Sequence, residues 1–458
     1  MINVNVPALE PELMDVVRLF EGAQELNISV NTSYENGVFY SALSLDGRER
    51  KYARAAEVTG ELGYKSLLKR YAKLALYRAL SEYFQKELPW GALTGIRPTR
   101  LAYAEEEAGR DFAALFAEMG ASEGNTDLVR RVLQGQRGIY ERKEGNCDLF
   151  VSLPFCPTKC EYCSFITAPI EKTRGYLPDY LSALEKELAA AAPLIGNLRS
   201  VYIGGGTPFV LSAQELERVL AAIAPLRKNG CEYTVEAGRP DVFTPEKLEV
   251  CRRYGVTRIC INAQSFSDGT LSAIGRKHTA AQVREAFAMA KPFGFSVNCD
   301  LIAGLAEENA EDFSRSLDEA IALSPENITV HTLCLKKGAR LKEETSRLAE
   351  GELAEMIALS RGKLTSAGYE PYYLYRQKYM AGAHENVGWT KKGYASVYNI
   401  DVMEESADNL AVGANAITKK VFLGEGRIER IGSPKDIPSY LAKTEKLIEE
   451  KNALFGRA

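Results

Sequence analysis

Leu149-Phe150-Val151-Ser152-Leu153-Pro154-Phe155-Cys156-Pro157-Thr158-Lys159-Cys160-Glu161-Tyr162-Cys163 is the stretch that decides how the rest of the chain is read. Leu149 to Leu153 is a short apolar run with the composition of a strand. Three cysteines follow it directly, spaced Cys-x3-Cys-x2-Cys. Thiolates gathered in one short loop can wrap one face of a compact inorganic cluster. A 4Fe–4S cluster held by Cys156, Cys160 and Cys163 leaves one iron open for a small ligand. A structural zinc site wants a fourth protein ligand, and no other Cys or His lies close by in sequence.

Downstream of this loop, short apolar runs alternate with amphipathic stretches. The pattern predicts strands over 149–153, 200–203, 233–236, 258–262, 296–301 and 328–332, with helices over 177–192, 213–226, 245–254, 280–291 and 310–323 between them. Six β–α units in series predict a parallel sheet with right-handed crossovers. Curved on itself, such a sheet is a whole or partial (β/α)6 barrel of the α/β class. Its chemistry belongs at the C-terminal ends of the strands.

The flanking regions read differently, so we expect an N-terminal α+β domain over 1–145, a barrel over 146–335 and a smaller covering domain over 336–458. In the first, Glu35-Asn36-Gly37 and Asp46-Gly47 separate alternating runs and predict hairpin turns. A helix from about Tyr64 to Gln85 carries the apolar stripe Leu67, Leu68, Tyr71, Leu74, Ala75 and Leu80. Lys65, Lys69, Arg70, Lys73 and Arg78 make the rest of it basic, either a solvated face or a surface for an anionic partner. Thr94-Gly95-Ile96-Arg97-Pro98-Thr99-Arg100 is either a structural turn or a loop that offers two arginines to carboxylates. The last region is Tyr-rich from Tyr369 to Tyr379, contains Val412-Gly413-Ala414-Asn415-Ala416, and ends in a charged helix near Ser439–Lys451.

Composition narrows the function. The chain has 458 residues, 46% apolar and 26% charged, with a formal charge of −4. That balance gives no global attraction to nucleic acid or an anionic membrane. No apolar run approaches the ~20 residues of a membrane span, and the N-terminus lacks the basic and apolar regions of a signal peptide. The expected compartment is the cytoplasm. Nine cysteines in a reducing compartment suggest metal or redox chemistry rather than disulfides. Cys147, Cys231, Cys251, Cys260, Cys299 and Cys334 stand alone and read as small buried hydrophobes.

Polar residues recur where the strands end. Gly204-Gly205-Gly206-Thr207-Pro208 closes strand two with exposed backbone amides. Glu236 closes strand three, Gln264 follows strand four with Arg276 twelve residues on, and Asp300 lies on strand five. One such residue alone would pass for a cap or a surface group. Several in register with the cysteine loop form the active-site pattern of a barrel.

The cysteine motif after the first strand resembles that of the radical S-adenosylmethionine (SAM) superfamily. Leu153-Pro154-Phe155-Cys156-Pro157, Tyr202-Ile203-Gly204-Gly205-Gly206-Thr207-Pro208, Ala263-Gln264-Ser265-Phe266, Gly275-Arg276-Lys277-His278 and Asp300-Leu301-Ile302-Ala303-Gly304-Leu305 are similar to the oxygen-independent coproporphyrinogen III oxidase family. The likeness is good over roughly 148–335. The basic N-terminal region and Val235-Glu236-Ala237-Gly238-Arg239-Pro240-Asp241 look like its HemZ branch. The resemblance implies a radical SAM partial barrel in which Cys156, Cys160 and Cys163 ligate a 4Fe–4S cluster. It further implies that Tyr162, Gly205, Gly206, Thr207, Glu236, Gln264, Arg276 and Asp300 contact one or two SAM molecules. The implied reaction starts when one electron from the cluster cleaves SAM to a deoxyadenosyl radical. It converts two propionates of coproporphyrinogen III to vinyl groups, with the cluster reduced by a donor such as flavodoxin or ferredoxin. Arg97, Arg100, Arg239 and Lys277 are the basic candidates for holding propionates.

Three positions depart from the oxidases. Phe165 replaces a fourth cysteine, Phe150 a tyrosine and Ser152 a histidine. Two other outcomes therefore stand beside oxidative decarboxylation: haem methylation with ring opening, and haem carriage without turnover. For carriage, the available imidazoles are His278, His331 on strand six, expected to be buried, and His384, expected to be the freest.

Overall fold

The computed structural model describes residues 2–95, 97–163, 168–228, 230–334, 350–376 and 381–456. The chain divides into two compact units. Unit 1 comprises Met1–Arg130 with Arg376–Glu385, and unit 2 comprises Arg131–Tyr375 with Asn386–Ala458.

Unit 1 holds a sheet in the order β1 (Ile2–Val4), β2 (Ile28–Glu35), β3 (Val38–Leu45), β4 (Arg48–Ala55). The two expected hairpins form. Asn36 and Gly37 have φ of 52° and 79°, and Asp46 and Gly47 have 48° and 82°, the left-handed pairs that match the twist of flanking strands. The helix Gly60–Phe84 packs its apolar side, Leu68, Ala72, Leu76 and Leu80, on this sheet and on the helix Glu10–Val17. Its positive charge is largely paired within the unit. Lys65 bonds Glu61, Lys69 bonds Glu12, and Arg78 donates to the Glu118 carbonyl. Lys73 was expected on the basic face but is 2% exposed. It donates to the carbonyl of Thr94 and lies 3.7 Å from Glu12, and burial pulls its pKa down to about 8. An apolar stripe wider than the sequence pattern suggested has enclosed it.

Unit 2 is built on an eleven-stranded sheet. Its strands are β5 (Asn146–Leu153), β8 (Asn197–Gly205), β9 (Glu232–Gly238), β10 (Arg258–Gln264), β11 (Ser296–Ala303), β12 (Asn327–Thr332), β13 (Glu370–Tyr375), β14 (Asn386–Thr390), β15 (Asp408–Val412), β16 (Ile417–Phe422) and β17 (Arg427–Gly432). The two-residue strands β6 (Phe155–Cys156) and β7 (Ala168–Pro169) pair separately beside the cysteine loop. β5, β8, β9, β10, β11 and β12 are parallel neighbours in sequence order. This is the expected six-stranded partial barrel, with each strand within a few residues of its predicted place. The intervening helices Ala213–Ile223, Ala280–Ala290 and Ala310–Leu323 each open on a capping box, at Ser212/Glu215, Thr279/Gln282 and Asn309/Asp312, which satisfies amides a helix start leaves open.

The units are cut differently from the three domains expected. β15 joins β5 in parallel, and β14 joins β12 antiparallel. The C-terminal region therefore continues the barrel sheet instead of folding apart from it. Strand pairing over long sequence separation carries no local signal, so the division was not legible beforehand.

Side chains alternate along each strand. Val151, Ile203, Val235, Ile261, Leu301 and Val330 are buried apolar groups on one side. The alternate positions carry polar and aromatic groups that bond to one another, and these line the lumen. Deep in the lumen, Phe150, Tyr202 and Tyr398 stack, with Tyr202 and Tyr398 centroids 4.4 Å apart. Tyr398 arrives on the helix Val397–Glu404, whose first amides donate to Glu232 at 3.0 and 3.2 Å.

Candidate active site

The cysteine loop is anchored at two points, to the segment just after β8 and to the C-terminal end of the helix Asp268–Ala273. The Thr207 amide donates to the Phe155 carbonyl at 2.8 Å, and the Glu161 amide to the Ile274 carbonyl at 3.0 Å. Cys156 Sγ lies 3.5 Å from Thr207 Oγ1. The backbone of Gly206 passes so close that an added Cβ would meet the Phe155 and Leu153 carbonyl oxygens at 2.5 and 2.7 Å. Only glycine allows this approach of strand two to the loop.

Cys156 and Cys160 are buried, and Cys163 is half-buried. All three are free thiols. Burial pushes the Cys156 thiol up to about 12, so its thiolate needs a cation or iron beside it. Among the described residues no group of three or more His, Cys, Asp or Glu is placed to hold a metal ion. Three soft thiolates on one short loop, with the Arg276 guanidinium near enough to Cys156 and Cys160 to oppose their charge, are a donor set of the chemistry an iron–sulfur cluster takes.

Arg276 ties the loop to the barrel. Its Nη1 donates to the Asn262 carbonyl at 2.5 Å and its Nη2 to the Tyr162 hydroxyl at 2.8 Å. Asn262 in turn donates to Glu236 Oε1 at 3.3 Å. Glu236 faces Gly204 and accepts the Gly205 amide. Burial, reinforced by the charge of Asp300, raises its carboxyl to about 7. Asp300 behaves oppositely. Burial works to raise it, but His331, Asn298 and Thr329 outweigh that and hold it below the ordinary carboxylate range. Asn298 Nδ2 donates to Asp300 Oδ1 at 2.7 Å, and His331 Nε2 lies 3.8 Å from the same oxygen. Gln264 ends β10 with φ of 70°, a left-handed backbone rare for its type, and its buried Oε1 has no hydrogen-bond partner. A strained backbone and an orphaned amide oxygen together mark a position prepared for a ligand.

Tyr162, Gly205, Gly206, Thr207, Glu236 and Arg276 thus form a bonded set with the loop of Cys156, Cys160 and Cys163, while Gln264 and Asp300 lie on the adjacent strands β10 and β11. The oxidase positions differ in kind. Phe150 is part of the aromatic stack, Ser152 Oγ donates to the Ala414 carbonyl at 2.6 Å, and Phe165 lies outside the described residues. Arg239 is 2% exposed and clamped by Asp241 and Thr158, with its Nε 2.9 Å from Asp241 Oδ1, so it does not face a substrate. Lys277 is exposed. Five of the six lone cysteines are buried, and Cys334 is half-buried.

The histidines rank differently from the expectation. His384 is 7% exposed, within unit 1. His278 is 2% exposed, and burial lowers its pKa to about 4. The His331 side chain is 30% exposed, on the lumen side of β12. Sequence reasoning also passed over Asn262, Asn298, Thr329 and Tyr398. The signal for all but Tyr398 was available: each stands two residues, or a multiple of two, from a lumen group on its own strand. Glu308 gave no such signal. It is 1% exposed and accepts from Ser265 Oγ at 2.6 Å, bracing the turn after Gln264.

The family model described as the Radical SAM superfamily matches residues 150–320. HemZ of Bacillus subtilis, an oxygen-independent coproporphyrinogen-III oxidase-like protein, is 35% identical over 400 residues, covering 83% of this chain and 79% of the relative. The heme chaperone HemW of Haemophilus influenzae is 30% identical over 66% of this chain and 78% of its own length. Among solved structures, coproporphyrinogen III oxidase (HemN) from Escherichia coli aligns with a TM-score of 0.55 and 20% identity, over 69% of this chain and 72% of that one. At that identity the last match establishes a shared fold.

Proposed function

Because the chain belongs to the radical SAM superfamily and, within it, to the family of oxygen-independent coproporphyrinogen III oxidase-like proteins of haem metabolism, we propose that it oxidatively decarboxylates propionates of a porphyrinogen such as coproporphyrinogen III to vinyl groups. Members of this superfamily use a 4Fe–4S cluster and SAM. Bound together, these supply a one-electron cleavage that begins hydrogen-atom abstraction. In the balanced reaction each propionate loses a hydrogen atom from the carbon β to the carboxylate, then one electron to an acceptor and carbon dioxide, which leaves the alkene.

The observation that carries the reading is the Arg276 tie, which joins the cysteine loop to the lumen carboxylates through Tyr162 and Asn262. In this reading Cys156, Cys160 and Cys163 hold the cluster. Arg276 opposes their charge, and Glu236, Gln264 and Asp300 with the Gly205–Thr207 backbone orient SAM. The stacked Phe150, Tyr202 and Tyr398 give the lumen an aromatic wall for the tetrapyrrole. An electron donor of the flavodoxin or ferredoxin type would reduce the cluster.

Anaerobically reconstituted protein, given SAM, reductant, an electron acceptor and coproporphyrinogen III, is expected to yield 5′-deoxyadenosine and protoporphyrinogen IX. 5′-Deoxyadenosine with no vinyl product would overturn the decarboxylation. A second reading, haem delivery, draws on the 30% identity to HemW. It predicts stoichiometric haem binding with no conversion of coproporphyrinogen III.

A further inference from the structure

The lumen end of the barrel carries an excess of negative charge. Glu236 and Asp300 both face it, and they repel each other. The cation nearest them in the hydrogen-bond network, Arg276, is engaged by Tyr162 and the Asn262 carbonyl. A substrate carboxylate entering here meets the charge of Asp300 and therefore needs a hydrogen-bond donor.

β12 supplies one. Its lumen-side residue at the C-terminal end is His331, paired in register with Ile302 of β11. The candidate SAM contacts come from the cysteine loop and from β8 to β11 with their loops, which leaves β12 without a part in that set. One imidazole nitrogen of His331 faces Asp300 Oδ1 at 3.8 Å. Asp300 is fixed from behind by a chain in which Tyr373 donates to Thr329 at 3.3 Å, Thr329 to Asn298 at 3.2 Å, and Asn298 to Asp300 at 2.7 Å. The His331 side chain is 30% exposed, which leaves part of the ring open to a ligand. An imidazole that faces a carboxylate with one nitrogen can offer an N–H to an anion at the other.

We infer that His331, oriented by Asp300, is the residue of this lumen that binds a propionate carboxylate of the tetrapyrrole and selects substrates with a free acid. This rests on the tetrapyrrole reading above. It assigns a specificity role to a residue outside the cluster and SAM sets.

The test compares coproporphyrin III with its tetramethyl ester, binding each to the reconstituted protein with SAM and following porphyrin fluorescence. The native protein is expected to prefer the free acid at least tenfold. His331→Gln is expected to reduce that preference by about tenfold or more, the loss typical of a hydrogen bond to a charged group. His331→Arg, which keeps N–H donors at this position, is expected to retain it. Because the readout is a ratio, a partly unfolded variant does not mimic the result. An unchanged preference in His331→Gln, or equal binding of acid and ester by the native protein, overturns the assignment and leaves the tetrapyrrole reading standing. Binding of neither porphyrin by the native protein overturns both.

Discussion

Glu236 and Asp300 show how one lumen sets two carboxyls apart. They repel each other, and only Asp300 has compensating donors, so the proton resides on Glu236 around neutrality. The consequence is a pH dependence of SAM binding at the proposed site. SAM carries a net positive charge and favours the ionised form of Glu236. As pH falls through about 7, Glu236 gains its proton and that attraction is lost. Affinity for SAM is expected to drop several-fold between pH 8 and pH 6, and Glu236→Gln is expected to flatten the profile. Isothermal titration across that range checks it, and a native protein with no slope would show that Glu236 does not face the sulfonium or the ammonium. At the same scale, Lys73, His384 and Arg239 illustrate the reach of sequence patterns. Each is polar and reads as a surface or ligand group, yet each is buried. The sequence shows a residue's chemistry but not which element folds over it.

Among the elements, the tightest junction is the passage of Gly204-Gly205-Gly206 beside the cysteine loop. Gly205 has φ of 99°, and an added Cβ there would meet Ser152 Oγ at 2.8 Å. At Gly206 the obstructing atoms are backbone on both sides, so no side chain can swing away. Gly206→Ala is therefore expected to push the loop from the strand and to weaken SAM binding at least tenfold. The thermal midpoint should fall by an amount consistent with an overpacked interior, about 1–3 kcal/mol. Equilibrium dialysis with SAM and a melting curve measure the two effects, and native-like SAM affinity would contradict the proposed backbone contact. Element type and order were legible because they rest on local periodicity. Val201-Tyr202-Ile203 is a short apolar run, and the stretch from Ala213 that follows it is amphipathic. The two-residue pairing of Phe155–Cys156 with Ala168–Pro169 was not legible, since segments that short have no period to detect.

Over unit 2 as a whole, the C-terminal helix Ile437–Phe455 is held to the barrel by one buried ionic cluster. Lys451 Nζ lies 2.5 Å from Glu187 Oε1, with side chains 3% and 1% exposed, and Glu187 Oε2 accepts from the Gly413 amide and Tyr440 at 2.8 and 2.7 Å. Lys451→Met leaves a buried carboxylate without its cation, which costs about 3–5 kcal/mol. A lower melting temperature is expected, with much of it recovered in Glu187→Leu/Lys451→Met. A single variant as stable as the native protein would show that the ion pair does not hold the helix. Unit 1 has a comparable device within itself: Arg376 lies over the Trp90 ring and donates to the Leu93 and Ala383 carbonyls, while Trp90 donates to Glu385 at 2.8 Å. Residues Arg376–Glu385 thus fold with unit 1, although the strands on either side of them belong to unit 2. The sequence by itself determined the cysteine spacing, the six β–α units and the polar residues at their ends, because each is written in neighbours a few residues apart. Only the tertiary structure decided that β15 and β14 extend the sheet, that Tyr398 enters the lumen, and that His331 meets Asp300. Those depend on strand register and on packing between distant segments, which are settled by the summed burial of the whole chain.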